Sequence, residues 1–223
     1  MGCFYIIRKQ ISDLNGDAIL KGLSISQLKK MTEILVIDDD SFPFTNALRK
    51  NEFSIEYKTD IFSLKDVAEY DIILCDIKGV GKFLESTYEG AYLVKQIKEK
   101  YPNKIVISYT ANDYNPRFQE YLDYADATVP KGTTLEDWDA LLSKKLYEIA
   151  DPVIQWEKTR TALLKAGVST INVAKYEAMY VKAMENGKYE TLQKLISDKQ
   201  THESEIIQSL LWVLEKFAKA KGL

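Results

Sequence analysis

The sequence predicts an α/β fold: a doubly wound parallel sheet of five βα units, followed by an all-α extension. Three observations predict it. Short unbroken apolar runs at 34–37, 72–75 and 105–107 are each bounded by polar, turn-forming or charged residues, the pattern of strands buried on both faces of a parallel sheet. Segments of helical period lie between them, as in Ala91, Leu93, Val94 and Ile97. Beyond Asp151-Pro152 only the helical period continues. Strands that alternate with helices form right-handed βαβ crossovers and hence a parallel sheet.

Residues 1–30 read as an N-terminal arm, with a short strand at 4–7, a turn at Asn15-Gly16-Asp17 and a helical turn or two at 24–30. The α/β domain spans 31–150. Strand one is 34–37, followed by Asp38-Asp39-Asp40-Ser41 and a helical stretch to about Asn51. Strand two is 53–57 and a short helix covers 62–68. Strand three is 72–75, and a helix at 88–100 runs to Tyr101-Pro102-Asn103. Strand four is 105–108, followed by a helix at 117–122, and strand five is 127–129. Thr134 caps a helix in which Leu135, Trp138, Leu141, Leu142, Leu146 and Ile149 keep helical spacing.

Asp151 as N-cap and Pro152 in the first helical position open the remainder. Helices are expected at 152–166, 170–185, 189–198 and 203–220, a helical bundle over 151–223 that serves as an output or dimerisation region. The last is richly apolar, with Ile206, Ile207, Leu210, Leu211, Trp212, Val213, Leu214 and Phe217. That stripe fills a bundle core or forms a dimer seam.

Composition narrows the function classes. The 223 residues are 46% hydrophobic and 28% charged with a net charge of −3, which is globular and lacks a polyanion-binding footprint. Residues 151–223 carry a net charge of only +2 and a single arginine, Arg160. Nucleic acid is therefore not an expected partner, because phosphate contacts dominate its affinity. Two cysteines, Cys3 and Cys75, supply no disulfide framework and suit a reduced, cytoplasmic setting. No apolar run reaches the ~20 residues of a membrane span, and the first residues lack a secretory h-region or a myristoylation motif. One histidine, His202, leaves zinc sites and histidine-based triads with little support.

Chemistry gathers at the strand ends. Asp38, Asp39 and Asp40 follow strand one, Asp76 follows strand three, Thr110 follows strand four and Lys131 follows strand five. With strand order 2-1-3-4-5 the ends of strands one and three are neighbours, where ligands of open α/β sheets bind. Crowded carboxylates repel unless one protonates or a cation joins them. Mg²⁺ suits such a set because it takes one or two carboxylates and keeps sites for phosphate oxygens. With an ammonium and a hydroxyl alongside, the set can cradle a phosphoryl group on Asp76.

With these residues in place, residues 33–149 resemble the receiver domains of bacterial two-component response regulators. Ile34-Leu35-Val36-Ile37-Asp38-Asp39-Asp40 resembles the family's first strand and acidic pair. Asp76 matches the phospho-accepting aspartate, Thr110 the switch hydroxyl and Lys131 the family's lysine. The resemblance implies that Asp38, Asp39, Asp76 and the backbone carbonyl of Lys78 hold Mg²⁺. It also implies a sensor histidine kinase or phosphotransfer protein as donor, and a phosphorelay in which self-catalysed aspartyl phosphorylation and dephosphorylation are the only chemistry. A homodimer or a protein target would engage 151–223.

The sequence departs from the family in three places. Pro130 precedes Lys131, where the family has proline after the lysine. Thr128 replaces the aromatic of strand five, a loss for which Tyr109 is a candidate substitute. The segment from Asp76 to Gly90 is several residues longer than usual, either a lid or docking element or a tolerated insertion. A scaffold that binds without phosphorylation is the alternative function, against which the full set of site residues argues. A DNA-binding output is the third, since 162–169 faintly resembles a helix-turn-helix, but the tail's charge argues against it.

Overall fold

The computed structural model describes residues 9–14, 23–111, 116–186, 193–194 and 202–220, without the side chains of 212–214 and 216–220. The expected strand at 4–7, the turn at 15–17, most of the helix at 189–198 and the side chains of Trp212, Val213, Leu214 and Phe217 lie outside the described residues. The chain divides into an α/β unit, Leu23–Ala150, and a helical unit that joins Met1–Gly22 to Asp151–Leu223. The described parts of the expected N-terminal arm thus fall into different units.

The α/β unit contains α1 (Ile25–Met31), β1 (Glu33–Ile37), α2 (Thr45–Lys50), β2 (Ser54–Lys58), β3 (Ile72–Asp76), α3 (Glu89–Lys100), β4 (Ile105–Thr110), α4 (Pro116–Leu122), β5 (Ala127–Pro130) and α5 (Leu135–Ala150). The sheet is all-parallel in the order β2-β1-β3-β4-β5. This is the predicted doubly wound architecture and the strand order of the receiver fold. The expected helix at 62–68 is instead a single 3-10 turn, Leu64–Val67. Ser63 and Asp66 cap each other there, and Asp66 also takes the Phe62 and Ser63 N–H groups. Those polar side chains satisfy the backbone locally, so nothing extends the turn.

The three central strands are buried on both faces. Leu35, Ile37, Ile73, Cys75 and Val106 pack with Leu93, Val94 and Ile97 of α3. Alternation sends Val36, Leu74 and Ile107 to the opposite face, and these too are fully buried. Leu28, Leu48, Trp138, Leu142 and Leu146, from α1, α2 and α5, are buried as well. Ser24 and Gln27 close a capping box on α1, and Thr134 Oγ accepts the Asp137 N–H at the start of α5.

In the helical unit, Asp151 caps α6 (Pro152–Lys165) by accepting the Val153 and Ile154 N–H groups at 2.8 and 3.3 Å, with Pro152 in the first turn. The helices α7 (Thr170–Asn186) and α8 (His202–Ala220) follow. Trp156 stacks on Tyr180 with centroids 5.3 Å apart. Ile206, Ile207, Leu210 and Leu211 of α8 share that buried cluster, against which Ile11 and Leu14 also pack. Of the two readings of the α8 stripe, these four residues take the core one. Glu177 accepts both the Ile11 N–H (2.9 Å) and the Trp156 indole N–H (3.0 Å), which ties the N-terminal segment to α6 and α7. No helix among the described residues is long and apolar enough to cross a membrane.

Candidate functional site

The parallel sheet brings the carboxyl ends of β1 and β3 side by side, and the acidic residues follow from that. Asp38 is the residue after β1 and is fully buried; Asp76 ends β3 and is 3% exposed. Asp39 is exposed. One carboxylate oxygen from each of Asp38, Asp39 and Asp76 lies within 4.8 Å of the others. Hard, all-oxygen donors at this spacing fit a hard divalent cation.

Lys131 reaches into the cluster from the end of β5. Its Nζ is 2.7 Å from Asp76 Oδ2 and 3.6 Å from Asp38 Oδ2. The Lys131 N–H donates to the Thr110 carbonyl at 2.8 Å, which fixes the turn that delivers the side chain. The altered proline position therefore leaves the ammonium on Asp76. Pro130 is tolerated because β5 is an edge strand. Where the family has its aromatic, Thr128 Oγ shares a 2.8 Å hydrogen bond with Ser108 Oγ.

Burial pushes the Asp76 carboxyl above its ordinary range. The hydrogen bonds from Lys131 and the Ile77 N–H pull the other way without cancelling it. Burial alone would lower Lys131, but its hydrogen bond to Asp76 and the charges of Asp76 and Asp38 hold it above its ordinary value. The site thus keeps a buried carboxylate beside a firmly protonated amine.

Thr110 closes β4, and its hydroxyl donates to the Ala111 carbonyl at 2.9 Å. Lys78 sits on the turn after Asp76 with an exposed side chain. Gly79 has φ +76°, and a Cβ built there would lie 1.9 Å from Asp39 Oδ2, so only glycine lets this backbone lie against that carboxylate. The long loop is held at three points. Glu89 accepts the Gly79 N–H at 2.6 Å, Asp60 accepts those of Gly81 and Lys82 at 2.7 and 3.2 Å, and Lys82 Nζ stands 4.0 Å from Asp39.

Sequence reasoning did not place the contacts of four residues, Tyr109, Tyr57, Glu89 and Asp60. Tyr109, 2% exposed, donates its hydroxyl to Asp38 Oδ2 at 2.7 Å. Burial and the Asp38 carboxylate push that hydroxyl's pKa up, so it remains a donor. Tyr57 donates to the backbone carbonyls of Asp38 (2.6 Å) and Asp40 (3.1 Å). Glu89 and Asp60 act on loop backbone across 10 and 21 residues. A partial signal existed for Tyr109 as the candidate substitute for the strand-five aromatic, and the β3–β4 register sets it beside Asp76.

No family model matches the chain, and no curated protein matches it. Solved structures do. A response regulator receiver domain protein from Methanospirillum hungatei JF-1 is 20% identical, with a TM-score of 0.42, over 53% of this chain and 95% of that one. The receiver domain of NtrX from Brucella abortus is 19% identical, with a TM-score of 0.42, over 52% of this chain and 98% of that one. A Burkholderia pseudomallei response regulator with a phosphorylated aspartic acid, calcium ion and citrate is 16% identical, with a TM-score of 0.42, over 65% of this chain and 91% of that one. These three structures, a response regulator and two response-regulator receiver domains, cover 52–65% of this chain.

Proposed function

We propose that this chain is a response-regulator-type signalling protein that accepts a phosphoryl group on Asp76 in a Mg²⁺-dependent reaction. The observation that carries the reading is the Lys131 ammonium 2.7 Å from Asp76, with Asp38 and Asp39 contributing to one carboxylate cluster. Asp76 Oδ would attack phosphorus in line and the donor's leaving group would depart, so one P–O or P–N bond breaks as one O–P bond forms. Lys131 is placed to pair with a phosphoryl oxygen, and the Ile77 N–H holds Asp76 Oδ1 at 2.7 Å. Asp38, Asp39, Asp76 and the Lys78 carbonyl would hold the cation, which when bound neutralises charge on the phosphoryl oxygens. Thr110 would turn from Ala111 toward the new charge of about −1.5 to −2, biasing the β4–α4 surface.

In this reading a histidine kinase or phosphotransfer protein is the donor, 151–223 is the output or dimerisation region, and the setting is cytoplasmic. Incubation with acetyl phosphate and Mg²⁺ tests it. Intact mass should show one phosphoryl adduct that chelation prevents; no adduct on folded protein with Mg²⁺ present would favour a scaffold that works without phosphorylation. Mg²⁺ should also raise the melting temperature of the unphosphorylated protein reversibly, by about 2.7 kcal/mol of stability at a hundredfold excess over Kd. An unmoved melting curve at millimolar Mg²⁺ would count against the metal set.

A further inference from the structure

We propose that Tyr109 is a positioning residue for the cation site, holding Asp38 through its hydroxyl in the orientation that a divalent ion requires. The inference rests on the metal-dependent reading of the same site. Asp38 is fully buried, and its two oxygens have separate partners: Oδ1 accepts the Asp40 N–H at 3.0 Å and Oδ2 accepts the Tyr109 hydroxyl at 2.7 Å. Together they fix the plane of the carboxylate. Each carboxylate oxygen has two lone pairs, so Oδ2 can accept the hydroxyl and still face the cluster. The tyrosine ring is itself locked, edge to face with Phe42 (5.5 Å) and Trp138 (5.9 Å). Phe42 and Trp138 also pack on each other at 5.4 Å. Lys131 Nζ stands 5.6 Å from the centre of the same ring, so one tyrosine borders both the acidic ligand and the cation that serves Asp76.

Hydrogen-bond partners of metal ligands orient them, and removing one typically costs ~10–100-fold in affinity. Tyr109→Phe keeps the ring and removes only the hydroxyl. Calorimetric titration should show Mg²⁺ affinity falling by about tenfold or more, with the melting temperature of the metal-free protein little changed. Phe42→Leu loosens the packing around the ring and keeps the hydroxyl, so it should lower the melting temperature while weakening Mg²⁺ binding by less than Tyr109→Phe does. Three results would overturn the proposal. Equal Mg²⁺ affinity in wild type and Tyr109→Phe removes the orienting role, and equal losses in both variants assign the effect to packing. A Tyr109→Phe chain that does not fold makes the hydroxyl structural. If the wild type itself binds no Mg²⁺, the metal-dependent reading fails first, and the two failures are told apart by that titration.

Discussion

Gly90→Ala is expected to destabilise the α/β unit sharply and to disturb the candidate site with it. Gly90 is in the first turn of α3, and its N–H donates to the Ile77 carbonyl at 3.0 Å. A Cβ there would stand 2.0 Å from the Asp76 carbonyl oxygen and 2.9 Å from Ile77 Cα. Both obstacles are backbone of the strand end that presents Asp76, so neither can swing aside. Overpacking usually costs ~1–3 kcal/mol, and rigid neighbours place this case at the upper end. The better helix propensity of alanine returns at most ~1 kcal/mol. Urea denaturation should show a loss of about 2 kcal/mol or more, together with a weakened response to Mg²⁺. A variant as stable as the wild type would mean that α3 does not dock against Asp76 in this way.

Asp76→Asn is expected to act in two opposite directions, abolishing phosphoryl uptake while stabilising the metal-free fold at neutral pH. The sign follows from the raised carboxyl. A group whose folded pKa lies above its unfolded value binds its proton more tightly in the folded state. Its stabilising contribution is complete below the ordinary value of 3.8 and is lost as pH rises through the folded pKa. At pH 7 the ionised, buried Asp76 is therefore a liability that Lys131 only partly offsets, and asparagine removes it. The stability difference between Asp76→Asn and wild type should be largest near neutrality and narrow as pH falls toward 4. A variant less stable than wild type at pH 7 would mean that the Lys131 pair outweighs the burial of the charge.

Much of this architecture was legible in the residues. The apolar runs 34–37, 72–75 and 105–107 contain no polar residue to mistake for a solvent-facing position, so these three strands and the places of Asp38 and Asp76 at their ends followed from continuity, whereas the strand order and the role of Lys131 came with the family resemblance. Asp151-Pro152 announced α6 because a cap and a first-turn proline are local devices. What was not legible depends on distant partners. Tyr109 stood out in the sequence only as a substitute for the missing strand-five aromatic, and only the fold shows its hydroxyl on Asp38. Asp60 and Glu89 look like solvated loop charges, yet they hold loop backbone. Ile11 and Leu14 gave no sign of their place in the helical unit, since their packing partners lie far along the chain.

The central claim is that Asp76 takes the phosphoryl group within this cluster, and intact-mass measurement of wild type beside Asp76→Asn tests it most directly. Both proteins would be incubated with acetyl phosphate and Mg²⁺, with folding checked by circular dichroism. One phosphoryl adduct on the wild type and none on folded Asp76→Asn is the predicted result. An adduct retained on the variant would move the acceptor to another residue and contradict the assignment.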